Sequence, residues 1–157
     1  MNLQVKPNWR NPVHLLAFGF GSGAAPKAPG TFGTLAACVL YLPLAHLSPT
    51  NYLLVILVSS LVGIYLCGKT AADIGVHDHG GIVWDEFVGM WITMLWAPAG
   101  WGWLLLGFVL FRFFDIIKPW PIRWLDKHVH GGVGIMLDDI VAGVMALLCL
   151  QAVVMFG

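Results

Sequence analysis

The sequence carries little charge for its length. Only 10% of its 157 residues are charged, 59% are hydrophobic, and the mean hydropathy is +0.81. Soluble domains carry about 25% charged residues, so this composition excludes an ordinary soluble domain and indicates an integral membrane protein. The formal net charge is zero. Because nucleic-acid backbones are bound by a basic excess, we expect no nucleic-acid partner.

Cysteine is also scarce. Cys38, Cys67 and Cys149 lie singly in apolar stretches without CxxC spacing, which argues against a zinc site or a disulfide framework. Residues 1–12 are polar, and the Gly-rich apolar stretch after them lacks a clean cleavage signature. We therefore expect no removable signal peptide. The sequence predicts a single membrane-embedded domain over residues 1–157, with 1–12 as a polar N-terminal tail.

Five apolar segments predict an all-α, polytopic membrane helical bundle of about five short transmembrane or membrane-embedded helices. The segments are residues 35–47, 51–68, 84–97, 101–114 and 140–156. Residues 13–23 are too few to span about 30 Å of hydrocarbon, so a surface or re-entrant segment is expected there. Residues 25–34 contain two prolines and two glycines and are predicted to be a loop rather than a regular helix.

The charged residues indicate an orientation. Joining the five helices by tight turns places the turns 48–50 and 98–100 on one side, together with the C-terminus. The charged residues then fall on the other side, and all eight Lys and Arg lie in or next to its loops. The positive-inside rule assigns this face to the cytoplasm.

Adjacent acidic residues stand at the head of two apolar segments. Asp85 and Glu86 open the third segment, and Asp138 and Asp139 precede the last. Acids beside membrane segments are costly unless they lie at the water boundary, pair with a cation or bind a metal. Carboxylate oxygens with open water positions suit Mg²⁺. The alternative is that the acids merely complement the macrodipole at helix N-termini.

A second charged group closes the fourth segment. Arg112, Asp115 and Lys118 are spaced i, i+3, i+6, and Arg and Lys commonly bind phosphate. An intrahelical Arg112–Asp115 pair, with Lys118 reaching the lipid headgroups, explains the spacing equally well.

Two polar stretches are weaker candidates. The Gly-rich residues 19–34 could form a backbone nest for an anion, with Lys27, Thr31 and Thr34 as further donors. No strand precedes them, so neither a Rossmann nor a P-loop interpretation holds, and close helix packing also explains the glycines. His77 lies in a polar loop and could do acid–base work near neutral pH, although loop histidines are more often bystanders.

Four segments together resemble the phosphatidylglycerophosphatase A family. They are residues 21–31, 77–89, 111–123 and 134–143. The resemblance implies a Mg²⁺-dependent, multi-pass phosphatase of the bacterial inner (cytoplasmic) membrane whose active site faces the cytoplasm. Its implied substrate is the phospholipid phosphatidylglycerophosphate, which loses its terminal phosphate to give phosphatidylglycerol.

The resemblance and the charged residues together define a candidate site. The carboxylates expected as metal ligands are Glu86, Asp115 and Asp139. The two expected as a further ligand or a catalytic base are Asp85 and Asp138. Expected substrate-binding residues are Lys27, Thr31, His77, Arg112 and Lys118. The sequence has no Asp-x-Asp motif, no cysteine followed six residues later by arginine, and no Arg-Pro and catalytic-His motifs of other lipid phosphatases. These absences favour a carboxylate and metal mechanism, in which either water attacks the phosphate directly or a carboxylate first forms an acyl phosphate.

Two other protein classes compete with this hypothesis. A small ion-coupled membrane transporter would use intramembrane acids to bind a coupling ion, and it predicts charges at mid-span rather than at segment ends. A non-catalytic lipid-binding subunit would need cationic patches but not paired acids.

Overall fold

The computed structural model describes residues 10–24, 29–75 and 82–156. Within these ranges the chain forms seven α-helices and one short 3₁₀ helix, Ser22–Ala24, and no strand. The helices are α1 Pro12–Ala17, α2 Pro29–Leu44, α3 Pro49–Ile74, α4 Trp84–Thr93, α5 Trp101–Ile117, α6 Ile122–His128 and α7 Gly131–Phe156. The all-α prediction is therefore confirmed.

Two of the described helices are long and apolar enough to cross a membrane. These are α3 and α7, with 26 residues each, which gives a length of about 39 Å at 1.5 Å per residue. By contrast, α4 has 10 residues and is about 15 Å long, roughly half the thickness of a hydrocarbon core. The third predicted segment, residues 84–97, is helical only over Trp84–Thr93, and a bundle of five spanning helices is not confirmed.

The start of α2 corrects the predicted loop over residues 25–34. The helix already begins at Pro29, so residues 29–34 are helical. Proline is favoured in the first helical turn because its φ angle is fixed at a helical value and its missing N–H would have no intrahelical partner there. Residues 13–23 contain α1 and the 3₁₀ helix, and α1 is too short to span a membrane, as expected.

The start of α7 corrects the predicted start of the last helix at residue 140. The helix begins at Gly131, and its glycine-rich first turn packs closely on α3. A Cβ added to Gly132 would collide with the Ile64 carbonyl oxygen, so glycine permits this approach. As a result, Asp138 and Asp139 lie inside the helix rather than ahead of it.

The short helix α4 forms the centre of the molecule. It packs against α2, α3, α5 and α7, and every residue from Asp85 to Thr93 is buried. A helix that is covered on all sides needs no polar face. The two acids in its first turn are therefore the exception that requires an explanation.

The uncharged end of the molecule agrees with the predicted arrangement. Leu47, Pro49, Trp96 and Ala97 line one small cavity there, which brings the two predicted turns together. Gln151 near the end of α7 donates a hydrogen bond of 3.1 Å to the Trp96 carbonyl oxygen. The turns and the end of α7 thus lie on one side, opposite the acids.

Candidate active site

A close crossing of α4 and α7 brings the two acidic pairs together. A Cβ added to Gly143 on α7 would lie 2.6 Å from the Gly89 carbonyl oxygen on α4, and a Cβ added to Gly89 would lie 2.9 Å from the Asp139 carbonyl oxygen. Glycine at both positions lets the backbones touch. Glu86 lies one turn before Gly89, and Asp139 lies one turn before Gly143, so both side chains stand beside the crossing.

Three buried carboxylates meet at this crossing. One oxygen each from Asp85, Glu86 and Asp139 lie within 4.8 Å of one another. Asp85 Oδ1 also accepts the Glu86 backbone N–H at 3.0 Å. Asp139 Oδ2 is buried and has no hydrogen-bond partner among the described residues. Because a buried anionic oxygen without a partner is costly, this group suits a bound cation.

Arg112 links α5 to these acids. Its Nη1 donates to Glu86 Oε2 at 3.3 Å and pairs with Asp115 Oδ2 one turn along α5. The intrahelical Arg112–Asp115 pair that the spacing predicts is therefore present, and the same guanidinium reaches across to α4. Its Nε is buried without a hydrogen-bond partner in the described part of the chain.

Lys118 adds a second positive charge at the end of α5. Its Nζ lies 3.8 Å from Asp115 Oδ1. Partial burial alone would lower the pKa of Lys118, but the carboxylates of Asp115, Asp139 and Asp138 together raise the pKa above its ordinary value. Lys118 therefore stays protonated at physiological pH.

The first turns of α2 cover the site. The Thr34 hydroxyl donates to the Gly30 carbonyl oxygen at 2.8 Å and lies 3.5 Å from Glu86 Oε2. A Cβ added to Gly30 would lie 3.1 Å from Arg112 Nη1, so α2 and α5 meet here. Thr31 lies in the same stretch and is partly exposed. Thr34, which the sequence indicated only as a further donor, therefore contacts Glu86.

The predicted site residues fall into three groups. The structure brings together Asp85, Glu86, Asp115, Asp138, Asp139, Arg112 and Lys118, with all five acids buried. We call these five acids the carboxylate cluster. Thr31 lies in the first turns of α2 and is partly exposed. Lys27 and His77 lie outside the described residues, so their predicted roles stay predictions, as do the roles of the others.

The arrangement within the cluster refines the predicted ligand set. Asp85, expected as a ligand or base, lies with Glu86 and Asp139 in the group that could hold a metal. Asp115, expected as a ligand, is engaged by Arg112 and Lys118. It still acts electrostatically on both Glu86 and Asp139. The geometry therefore favours Asp85 over Asp115 as the third ligand.

The helix macrodipole does not explain both acidic pairs. Asp85 and Glu86 lie in the first turn of α4, where a negative charge is favoured. Asp139 lies eight residues into α7, about 12 Å from its start, and the macrodipole effect falls off within the first turn. Asp138 and Asp139 need another reason to be buried. Their position inside α7 also corrects the expectation that every acid lies at a segment end.

A second ionic group, which the sequence did not reveal, joins α1 to α3. His14 Nε2 lies 3.0 Å from Asp73 Oδ2, and Lys69 Nζ lies 2.9 Å from Asp73 Oδ1. The i, i+4 spacing of Lys69 and Asp73 is a usable local signal. His14 is 59 residues from Asp73 in sequence, so no local sequence pattern predicts that contact.

The fold and the site define a small, apolar, all-helical protein whose buried carboxylates gather at one end of the structure. Comparison with known families agrees with the resemblance noted above. The profile of the family described as Phosphatidylglycerophosphatase A matches residues 15–154. The chain belongs to the phosphatidylglycerophosphatase A family, and it is a phosphatase.

Two relatives support this assignment. Phosphatidylglycerophosphatase A of Escherichia coli is 57% identical over 137 residues, covering 87% of this chain and 80% of the relative. Phosphatidylglycerophosphatase A of Haemophilus influenzae is 50% identical over 145 residues, covering 91% of this chain and 89% of the relative. No solved structure matches the chain.

Proposed function

We propose that this protein hydrolyses the terminal phosphomonoester of phosphatidylglycerophosphate, giving phosphatidylglycerol and phosphate, with Mg²⁺ as cofactor. The observation that carries the proposal is the 57% identity to the phosphatidylglycerophosphatase A of E. coli over 87% of this chain. The family match over residues 15–154 includes the whole carboxylate cluster. The transporter alternative has no comparable support.

The donor set supports a magnesium site. Asp85, Glu86 and Asp139 would hold the ion, since their oxygens lie within 4.8 Å of one another and carboxylates are preferred ligands of Mg²⁺. The buried Asp139 Oδ2 lacks a hydrogen-bond partner among the described residues and is therefore available as a ligand for the ion. When bound, Mg²⁺ stabilises the negative charge of the phosphate oxygens.

The remaining charged groups have complementary tasks. Arg112 and Lys118 bind phosphate or glycerol oxygens from the α5 side, and Arg112 also fixes the orientation of Glu86 through its 3.3 Å hydrogen bond. Asp138 is the residue we assign to accept the proton of the attacking water, because Asp85 lies with the proposed ligands. A positioned carboxylate base contributes about 10² to 10⁴ in rate.

A phospholipid substrate requires the site to lie at a membrane boundary, and several features support this position. The helices α3 and α7 are long and apolar enough to cross a membrane. Trp120 and Trp124 are exposed on the segment that follows α5, and Trp96 and Trp101 are exposed at the opposite end, as in two aromatic belts. We propose that the cluster faces the cytoplasm, because the Lys and Arg residues in the described part of the chain lie in segments at this end and positive residues favour the cytoplasmic side.

The first experiment measures phosphate release from phosphatidylglycerophosphate in detergent micelles by the purified full-length chain. Reactions contain Mg²⁺, then EDTA, then Mg²⁺ in excess of EDTA. We expect release that disappears on chelation and returns with Mg²⁺. Release that persists in EDTA would contradict the metal assignment, and a folded protein without release in any condition would contradict the substrate.

Metal binding has a readout that does not depend on turnover. Ligands that bind only the folded state raise the unfolding temperature, so Mg²⁺ should raise it for the wild-type protein. Asp139→Asn should lose most of this shift, whereas Asp73→Asn should keep it. An equal shift in both variants would place the ion elsewhere.

A further inference from the structure

An open apolar groove runs along the outside of the molecule between α2 and α5. It forms because α2 packs mainly on α4 while α5 packs mainly on α7, so the two helices contact each other little. The groove has a volume of about 560 Å³, within the range of small-molecule sites. Its apolar walls include Leu35, Val39, Leu42, Trp101, Leu105 and Phe108.

The two helix faces that line the groove continue toward the candidate active site. On α5, its lining positions 101, 105 and 108 continue at helical spacing to Arg112. On α2, its lining positions 42, 39 and 35 continue to residue 31 in the first turns. At that end the helices meet, because a Cβ on Gly30 would lie 3.1 Å from Arg112 Nη1. The helix faces that line the groove therefore converge on the guanidinium that pairs with Glu86 and Asp115.

The length of the groove suits one leaflet of a bilayer. From Arg112 back to Trp101, α5 rises about 16 Å at 1.5 Å per residue. A hydrocarbon core is about 30 Å thick, so one leaflet contributes about 15 Å. A lipid chain lying along α5 would thus reach from the charged end to the level of Trp101.

We propose that the α2–α5 groove binds one acyl chain of the phospholipid substrate and so aligns its headgroup with Arg112 and the carboxylate cluster. This inference rests on the proposed function. The occupant follows from the chemistry along the groove, since an apolar groove whose walls converge on a cation, Arg112, fits a molecule with an acyl tail and an anionic head. Binding energy from this remote part of the substrate then helps to orient the phosphate.

The test fills the groove and compares two substrates. Val39→Trp adds bulk to the α2 wall of the groove, and Leu105→Trp adds bulk to the α5 wall. The matched control is Leu61→Trp, at an exposed position of α3 outside the groove. The substrates are dioleoyl and dihexanoyl phosphatidylglycerophosphate. We expect each groove variant to lower the ratio of kcat/KM for the long-chain over the short-chain substrate roughly tenfold, the scale of a mismatched apolar pocket. The control should leave the ratio unchanged.

The outcomes separate this inference from the proposed function. Wild-type protein that cleaves neither substrate defeats the proposed function, and the groove assignment with it. Wild-type protein that cleaves both, with a ratio that the groove variants do not change, overturns the groove assignment alone. An equal drop in the control also overturns it, because the effect would then come from the general lipid shell.

A crosslinking measurement covers the case in which the tryptophan variants do not fold. A photoreactive phenylalanine derivative at position 105 or 61 is irradiated in phosphatidylethanolamine vesicles containing phosphatidylglycerophosphate. We expect position 105 to enrich phosphatidylglycerophosphate over phosphatidylethanolamine, and position 61 to show no enrichment. Equal labelling of both lipids at position 105, or crosslinks to a second copy of the chain, would overturn the assignment.

Discussion

Two ionic groups in this molecule differ in how their charges balance. In the group that joins α1 to α3, Asp73 has both carboxylate oxygens engaged, one by His14 and one by Lys69. The carboxylate cluster instead has five buried acids beside Arg112 and Lys118. The first group is complete by itself, whereas the second has more negative charge than the neighbouring cations neutralise.

The imbalance matters because the two groups lie in different surroundings. A charge that remains hydrated at a surface needs little compensation, and Asp73 is exposed. Removing an ionised carboxylate from water costs several kcal/mol even after relaxation, and the acids of the cluster are buried. Protein stability explains the first group, whereas the second fits the proposed Mg²⁺ site, because a bound cation would compensate for the excess of buried carboxylates.

The strongest test of this difference is Asp139→Asn. The amide keeps the shape but removes the charge and replaces one carboxylate oxygen by an NH₂ group, so phosphate release should fall at least about a hundredfold, as when one preorganised electrostatic group is lost. Because the substitution relieves a crowded negative site, the unfolding temperature measured without Mg²⁺ should not fall. Steady-state phosphate release and thermal unfolding measure the two effects. Activity close to wild type would remove Asp139 from the site.

Arg112→Gln tests the opposite partner. The substitution leaves the buried Glu86 without its cation and Asp115 with Lys118 alone. Removing one member of a buried ion pair destabilises a protein by about 3 kcal/mol. Phosphate release should fall by about a hundredfold as well, so here activity and stability decline together. Chemical unfolding in detergent and phosphate release measure both quantities.

A double variant separates the two roles of Arg112. Adding Asp115→Asn to Arg112→Gln should recover part of the lost stability, because interacting charges are not additive, but it should not restore turnover. Recovery of turnover would mean that Arg112 acts only on the fold and not on substrate.

Much of the site was predictable because acidic side chains are energetically unfavourable beside apolar segments. Acids beside apolar segments have few explanations, so Asp85, Glu86, Asp138 and Asp139 could be selected from the sequence alone. The spacing of Arg112 and Asp115 likewise predicted their pairing. Hydropathy also indicated the all-α class, since long apolar segments rarely have another solution in a membrane.

The helix boundaries were less predictable, for physical reasons. Proline and glycine normally mark loops, yet Pro29 begins α2 and Gly131 begins α7. Proline also suits a first helical turn, and at the start of α7 tertiary contacts override the local preference of glycine. Gly132 is tolerated since it lets α7 approach α3. The sequence of the buried helix α4 has the apolar composition of a membrane span, because a helix covered by protein is as apolar as one covered by lipid.

Gly143→Ala tests whether the helix crossing itself maintains the unbalanced cluster. The new methyl group would lie 2.6 Å from the Gly89 carbonyl oxygen, so α4 and α7 must separate and Glu86 must move away from Asp139. We expect about a tenfold loss of kcat, since small misplacements of reacting groups are costly, and a lower unfolding temperature from overpacking. Gly102→Ala is the matched control, because its Cβ would meet nothing within 4 Å. Equal behaviour of the two variants would show that the close crossing is not required.

Asp73→Asn should have the smallest effect, because it changes the ionic group whose charges already balance. The substitution removes the charge that pairs with Lys69 and His14, but the amide still offers a hydrogen-bond acceptor, and Lys69 remains hydrated at the surface. Phosphate release and its dependence on Mg²⁺ should stay within about twofold of wild type, because surface ion pairs contribute little and Asp73 lies outside the cluster. The measurement is a Mg²⁺ titration of phosphate release beside Asp139→Asn. A loss of Mg²⁺ dependence in Asp73→Asn would mean that both ionic groups belong to one functional unit, and charge balance would then no longer distinguish structural from catalytic acids in this protein.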